Sequence, residues 1–119
     1  MRASVVLFVV VVLVAAAPLA GDRSVRIRAL PRMAGSPATV SVTVTVEPRE
    51  QNRALTVTID SGDYYRSSER PLEGDKAPRS HSIRYVGLPA GEYQIVGAVR
   101  TQTGSIAIAR TSVLVTGFP

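Results

Sequence analysis

The chain has 119 residues, fourteen basic and nine acidic side chains for a net charge of +5, one histidine and no cysteine. That length holds one domain, less once its first residues are set aside. Without cysteine there are no disulfide staples, no thiol nucleophile and no Cys-ligated zinc, so an exported domain of this size would stand on its core alone.

At the N-terminus, Arg2 precedes an unbroken apolar run from Val5 to Ala17. The run is shorter than the ~20 residues an untilted membrane-spanning helix needs. A basic start, a short apolar stretch and the small residues in Pro18-Leu19-Ala20-Gly21 compose a signal-peptide pattern over residues 1–20. A cut after Ala20 places Pro18 just inside the recognition site, whereas a cut after Ala16 places Val14 and Ala16 at the recognition positions. The rival reading is a retained anchor, for which Ala3 to Ala20 is of marginal length. Removal takes only Arg2 from the fourteen basic residues and none of the nine acidic ones, leaving +4 on a domain predicted to run over residues 23–117. Apart from Lys76 those basic residues are arginines.

From there a period of two dominates. Ser24–Ala29 places Val25 and Ile27 on one side and Arg26 and Arg28 on the other. Pro31 and Gly35-Ser36-Pro37 end that run. In Ala38–Val46, Val40, Val42, Val44 and Val46 alternate with Thr39, Ser41, Thr43 and Thr45, which predicts a half-buried strand with one apolar and one hydroxyl-lined face. Glu47-Pro48 through Asn52 read as a connection, and Leu55, Val57 and Ile59 alternate with Thr56 and Thr58 in the next strand. Asp60-Ser61-Gly62-Asp63 has the composition of a tight turn. Residues 60–80 then lack regular patterning and read as a charged loop. Ser82–Val86, Glu92–Arg100, Ser105–Arg110 and Ser112–Thr116 are the later strands, with Gln102-Thr103-Gly104-Ser105 as a hairpin turn. No helical period is sustained over ten residues. The expectation is an all-β domain, a single antiparallel β-sandwich of about seven strands, with a small barrel as the alternative.

One passage sharpens the fold. Val86-Gly87-Leu88-Pro89-Ala90-Gly91-Glu92-Tyr93-Gln94-Ile95 resembles the corner between strands E and F of immunoglobulin-like and fibronectin type III domains. The resemblance implies an Ig-like sandwich in which Leu88 plugs the end of the core, Gly91 makes the turn, and the Tyr93 hydroxyl bonds back to nearby backbone. Classical immunoglobulin domains carry a cysteine pair and a tryptophan, which this chain lacks. The corner therefore implies architecture and brings no activity with it.

Binding function is expected in the 60–80 loop or along an exposed strand edge. The candidate contact residues are Tyr64, Tyr65, Arg66 and Arg70, because an exposed tyrosine beside arginines grips a protein partner or stacks on a sugar. Tyr64 and Tyr65 at a strand start point to opposite faces, so at most one of them is expected to be exposed. Asp60, Asp63, Glu73 and Asp75 offer oxygens, but the ordered alternation of a calcium loop is missing, and the two aspartates suit a turn better. The single histidine, His81, lies between Ser80 and Ser82 with no nucleophile elbow and no second histidine. The expectation is a non-enzymatic domain with no metal and no cofactor. Arg23, Arg26 and Arg28, with Arg32 beyond, form a basic stripe that fits either an anionic partner or protection of an edge strand against aggregation. Nucleic acid is excluded as a partner by the missing recognition modules and stacking platforms. A protein or an envelope polysaccharide remains, and a membrane only if the N-terminal segment is retained. The alternatives carried forward are a carbohydrate-binding module and, behind it, a small secreted hydrolase.

Expressed in bacteria with its own N-terminus, the protein should be recovered in the periplasm or medium with a mass short by its first 16 or 20 residues. A full-length product in the membrane fraction would make the segment an anchor.

Overall fold

The computed structural model describes residues 24–117. The apolar N-terminal run, its processing positions and Arg23 lie outside the described residues.

Eight strands follow in order: β1 Val25–Leu30, β2 Met33–Gly35, β3 Ala38–Val46, β4 Asn52–Asp60, β5 Tyr65–Pro71, β6 Ser80–Leu88, β7 Gly91–Thr101 and β8 Ile106–Thr116. They form a three-stranded sheet, β1-β3-β6, and a five-stranded sheet, β2-β8-β7-β4-β5. Every pair is antiparallel except β2 with β8, where Met33 lies beside Leu114 and Gly35 beside Thr116 in parallel register.

The inner faces follow from alternation. Val40, Val42 and Val44 of β3 are fully buried, as are Leu55, Val57 and Ile59 of β4 and Tyr93 and Ile95 of β7, and these side chains belong to one core cluster. A Cβ on Gly97 of β7 would touch Val44 of β3 and Ile27 of β1 at 3.5 and 3.6 Å, so the two sheets lie face to face there. β-branched side chains suit these positions because they are stiff and pack closely on a pleated surface.

At the β6–β7 corner the Tyr93 hydroxyl donates to the Pro89 carbonyl at 2.6 Å. Leu88 is fully buried beside it. Gly91 sits where a Cβ would meet the Ser61 side chain at 3.2 Å, so the β4–β5 turn closes against the start of β7. That turn is tied by the Gly62 amide donating to Asp60 Oδ1 at 2.8 Å, and Gly62 holds φ of 94°, a conformation glycine adopts without steric cost.

Four expectations need correction. Residues 60–80 are not a loop throughout, since 65–71 form β5 and Gly74–Lys76 a 3-10 turn. The strand was hidden because Tyr65-Arg66-Ser67-Ser68-Glu69-Arg70-Pro71 has no apolar alternation. The last two runs are one continuous strand, β8, as Thr111 keeps its pairing with Ile95. Asn52 belongs to β4, buried and donating through Nδ2 to the Glu47 carbonyl at 3.0 Å. The arrangement is also not wholly antiparallel, because the three-residue β2 pairs with β8 in parallel; three residues are too few to display a period.

Leu88→Ala should lower unfolding free energy by about 2–5 kcal/mol through lost burial and a residual cavity. Tyr93→Phe should lose about 1 kcal/mol, the net worth of one hydrogen bond. Urea denaturation of both variants checks these values.

Candidate functional site

The β4–β5 ladder sets which groups of β5 face outward. The Leu72 amide bonds the Arg53 carbonyl and the Ser61 amide bonds the Tyr64 carbonyl. With Leu55 opposite Arg70, Val57 opposite Ser68 and Ile59 opposite Arg66, the even-numbered residues of β5 exchange hydrogen bonds with β4. In an antiparallel pair the alternate residues turn their peptide groups the other way. The N–H and C=O of Tyr65, Ser67 and Glu69 therefore point out of the sheet, because β5 is its terminal strand. Pro71, next in that series, has no N–H to leave unpaired.

The four residues singled out in the sequence divide into two kinds. Tyr65 is 63% exposed on the outer side of the sheet, opposite Asp60, which itself lies opposite Gln94. Arg66 is exposed and sets its guanidinium 5.6 Å from the Tyr64 ring centroid. Tyr64 itself is half-buried against the core, its ring 5.9 Å from that of Tyr93 in a T-shaped contact. Arg70 reaches across to the other sheet, where Nη2 donates to the Ser82 carbonyl at 2.9 Å. Tyr64 and Arg70 are thus engaged within the domain, Arg66 is exposed but lies over Tyr64 on the inward side of β5, and Tyr65 alone of the four stands on the outer face. Leu88, Gly91 and Tyr93 form the corner at the same end of β7.

Facing β5 across this margin, the inner side of β6 carries His81 and Tyr85, both buried. Neither His81 Nε2 nor the Tyr85 hydroxyl has a hydrogen-bond partner among the described residues. Burial pushes the Tyr85 phenol above its ordinary range, opposed by Ser68 and by Arg66 and Arg70. Burial likewise lowers the His81 pKa; the Pro78 carbonyl opposes this and Arg70 adds to it. Glu69 is visible in the sequence only as one charge of the 60–80 segment, and Ser67 and Tyr85 carry no signal there. Only Pro71, a residue suited to an edge, signalled that a terminal strand lay there.

The remaining candidates do not assemble into a reaction centre. Among the described residues no group of three histidine, cysteine, aspartate or glutamate side chains is placed to hold a metal ion. Asp60 is occupied with its own turn, accepting from Gly62. A cavity of about 130 Å³, lined by Val25, Asn52, Val99 and Ile106, opens where β3 turns into β4 and β7 into β8. It is smaller than the roughly 300–1,000 Å³ of a small-molecule site. An open dish beside Leu72 carries Glu50, Glu73 and Asp75 together with Arg53 and Lys76.

No family model matches the chain, and no curated protein matches its sequence. Solved structures do share the fold. Superoxide reductase (neelaredoxin) from Ignicoccus hospitalis superposes with a TM-score of 0.58 at 16% identity, covering 84% of this chain and 86% of that one. The sulfur carrier protein SoxY from Chlorobium limicola f thiosulfatophilum gives 0.56 at 20% identity, covering 79% and 80%. Fibronectin(III)-like modules of CbhA from Clostridium thermocellum give 0.51 at 18% identity, covering 77% and 94%. At these identities the likeness is one of β-sandwich fold.

The lowered His81 pKa has a defined sign. The unfolded chain, with its histidine near 6.5, takes up a proton more readily than the folded one. Stability is therefore full above about pH 6.5 and declines as the pH falls below it toward the folded-state value. Urea midpoints at pH 7 and pH 5 should differ in the native protein, and the difference should shrink in His81→Gln.

Proposed function

We propose that the chain is an exported, non-enzymatic binding module that receives an extended segment of a partner protein along the free edge of β5. The observation that carries this reading is the row of outward peptide groups at Tyr65, Ser67 and Glu69, with the exposed Tyr65 ring on the outer face beside them. Added strands gain affinity from such backbone groups and selectivity from the alternating side chains. The N-terminal signal pattern supports export. The fold likeness to fibronectin(III)-like modules supports a binding or structural role rather than a reaction.

A second reading is a carbohydrate-binding module. It is favoured by the exposed Tyr65 ring beside Asp60 and Gln94 on the outer side of the five-stranded sheet. Ring stacking with neighbouring hydrogen-bond groups is what a sugar platform needs.

Peptides selected from a random library on the immobilised protein should shift the amide resonances of Tyr65, Ser67 and Glu69. Ser67→Pro removes only an outward donor, so it should abolish that binding while leaving the unfolding midpoint nearly unchanged. Peptides that map elsewhere and tolerate Ser67→Pro would overturn the strand-addition reading. Oligosaccharide binding lost in Tyr65→Ala but kept in Ser67→Pro would favour the second reading.

A further inference from the structure

The outer face of the three-stranded sheet concentrates charge of one sign. Its register aligns Arg26, Thr45 and Ser80 in one row, Arg28, Thr43 and Ser82 in the next, and Leu30, Ser41 and Arg84 in the third. Arg26 and Arg28 stand on β1 and Arg84 on β6, so the arginines flank a strip of hydroxyls about 10 Å across, two strand spacings wide. The rows contain no carboxylate. Glu47 reaches the rim beside Arg26 and Arg79, where it pairs with Arg49 at 3.5 Å. Among the described residues the other ion pair is Arg100 with Glu69 on the opposite sheet, so Arg26, Arg28 and Arg84 are free to meet an outside anion.

Aliphatic side chains share this face. Leu30 is 50% exposed and Val86, which follows Arg84 on the outward side of β6, is 68% exposed. A polyanionic glycan has no use for them, whereas the boundary between lipid head groups and acyl chains does. The face carries no aromatic ring on which nucleic-acid bases would stack.

We propose that the outer face of the β1-β3-β6 sheet docks on an anionic lipid surface, with Arg26, Arg28 and Arg84 meeting phosphate head groups and Leu30 and Val86 entering the interface. The proposal is independent of strand addition at β5, which belongs to the margin of the other sheet. Docking in this way leaves that margin clear for a partner.

The test uses the exported protein as cells leave it, sedimented with vesicles of phosphatidylcholine alone and of phosphatidylcholine with phosphatidylglycerol. Binding is expected to the mixed vesicles well above the neutral ones, and it should weaken as salt screens the charges. A variant carrying Arg26→Gln, Arg28→Gln and Arg84→Gln should bind roughly a hundredfold more weakly, and Leu30→Ser with Val86→Ser should weaken binding several-fold. All five positions are exposed, so unchanged unfolding midpoints keep the comparison clean. Ser67→Pro should bind vesicles as the unsubstituted protein does, which separates this proposal from the edge-strand reading. Equal binding to both vesicle types, an unaffected triple variant, or retention on dextran sulfate without vesicle binding would each overturn it.

Discussion

The valines of β3 and the branched side chains of β4 and β7 meet in one apolar layer, and the other elements take their positions from it. No covalent link joins the two sheets, since the chain has no cysteine. Each fully buried aliphatic side chain contributes about 1.5–3 kcal/mol against the conformational entropy of ordering the strands. The corner adds a directional restraint to this unspecific attraction. Tyr93 lies in the core with its ring, holds the Pro89 carbonyl with its hydroxyl, and meets the Tyr64 ring in a T-shaped contact. The start of β5 is thereby joined to the interior, although β5 itself buries little.

The margin where β5 and β6 face each other is managed unequally. β6 turns the peptide groups of Ser80, Ser82 and Arg84 outward, and the Ser82 carbonyl is met by Arg70 from the opposite sheet. A charged side chain laid over an edge is a common defence against unwanted pairing. β5 has charges and a terminal proline, but among the described residues no side chain bonds its outward groups. The same margin buries His81 Nε2 and the Tyr85 hydroxyl without a hydrogen-bond partner among the described residues, which costs stability, and the lowered His81 pKa makes the seam sensitive to acid.

How much of this was legible in the sequence depended on whether a strand had two chemically different faces. β3 did, with valine alternating against threonine and serine, and its bounds Ala38–Val46 were readable directly. β5 did not. Its inward residues Arg66, Ser68 and Arg70 are as polar as its outward ones, because they face a margin rather than the core. The candidate residues lie in that stretch, and their division into engaged and solvent-facing rests on Arg70 meeting Ser82, a contact between residues twelve apart on strands of different sheets. The gathering of Arg84 with Arg26 and Arg28 was equally hidden, because nothing local in the chain says that β1 and β6 flank β3.

Alternation in β5 has one more effect. Its odd-numbered residues carry the outward peptide groups and project their side chains to the outer side of the sheet. Its even-numbered residues bond to β4 and look toward β6. Mutational drift at Tyr65, Ser67 or Glu69 can alter what docks while leaving the internal seam intact, and drift at Arg66, Ser68 or Arg70 strains the seam while leaving the docking row in place. Recognition and folding are thus written on alternate letters of one seven-residue word, which lets selection revise either with little disturbance to the other.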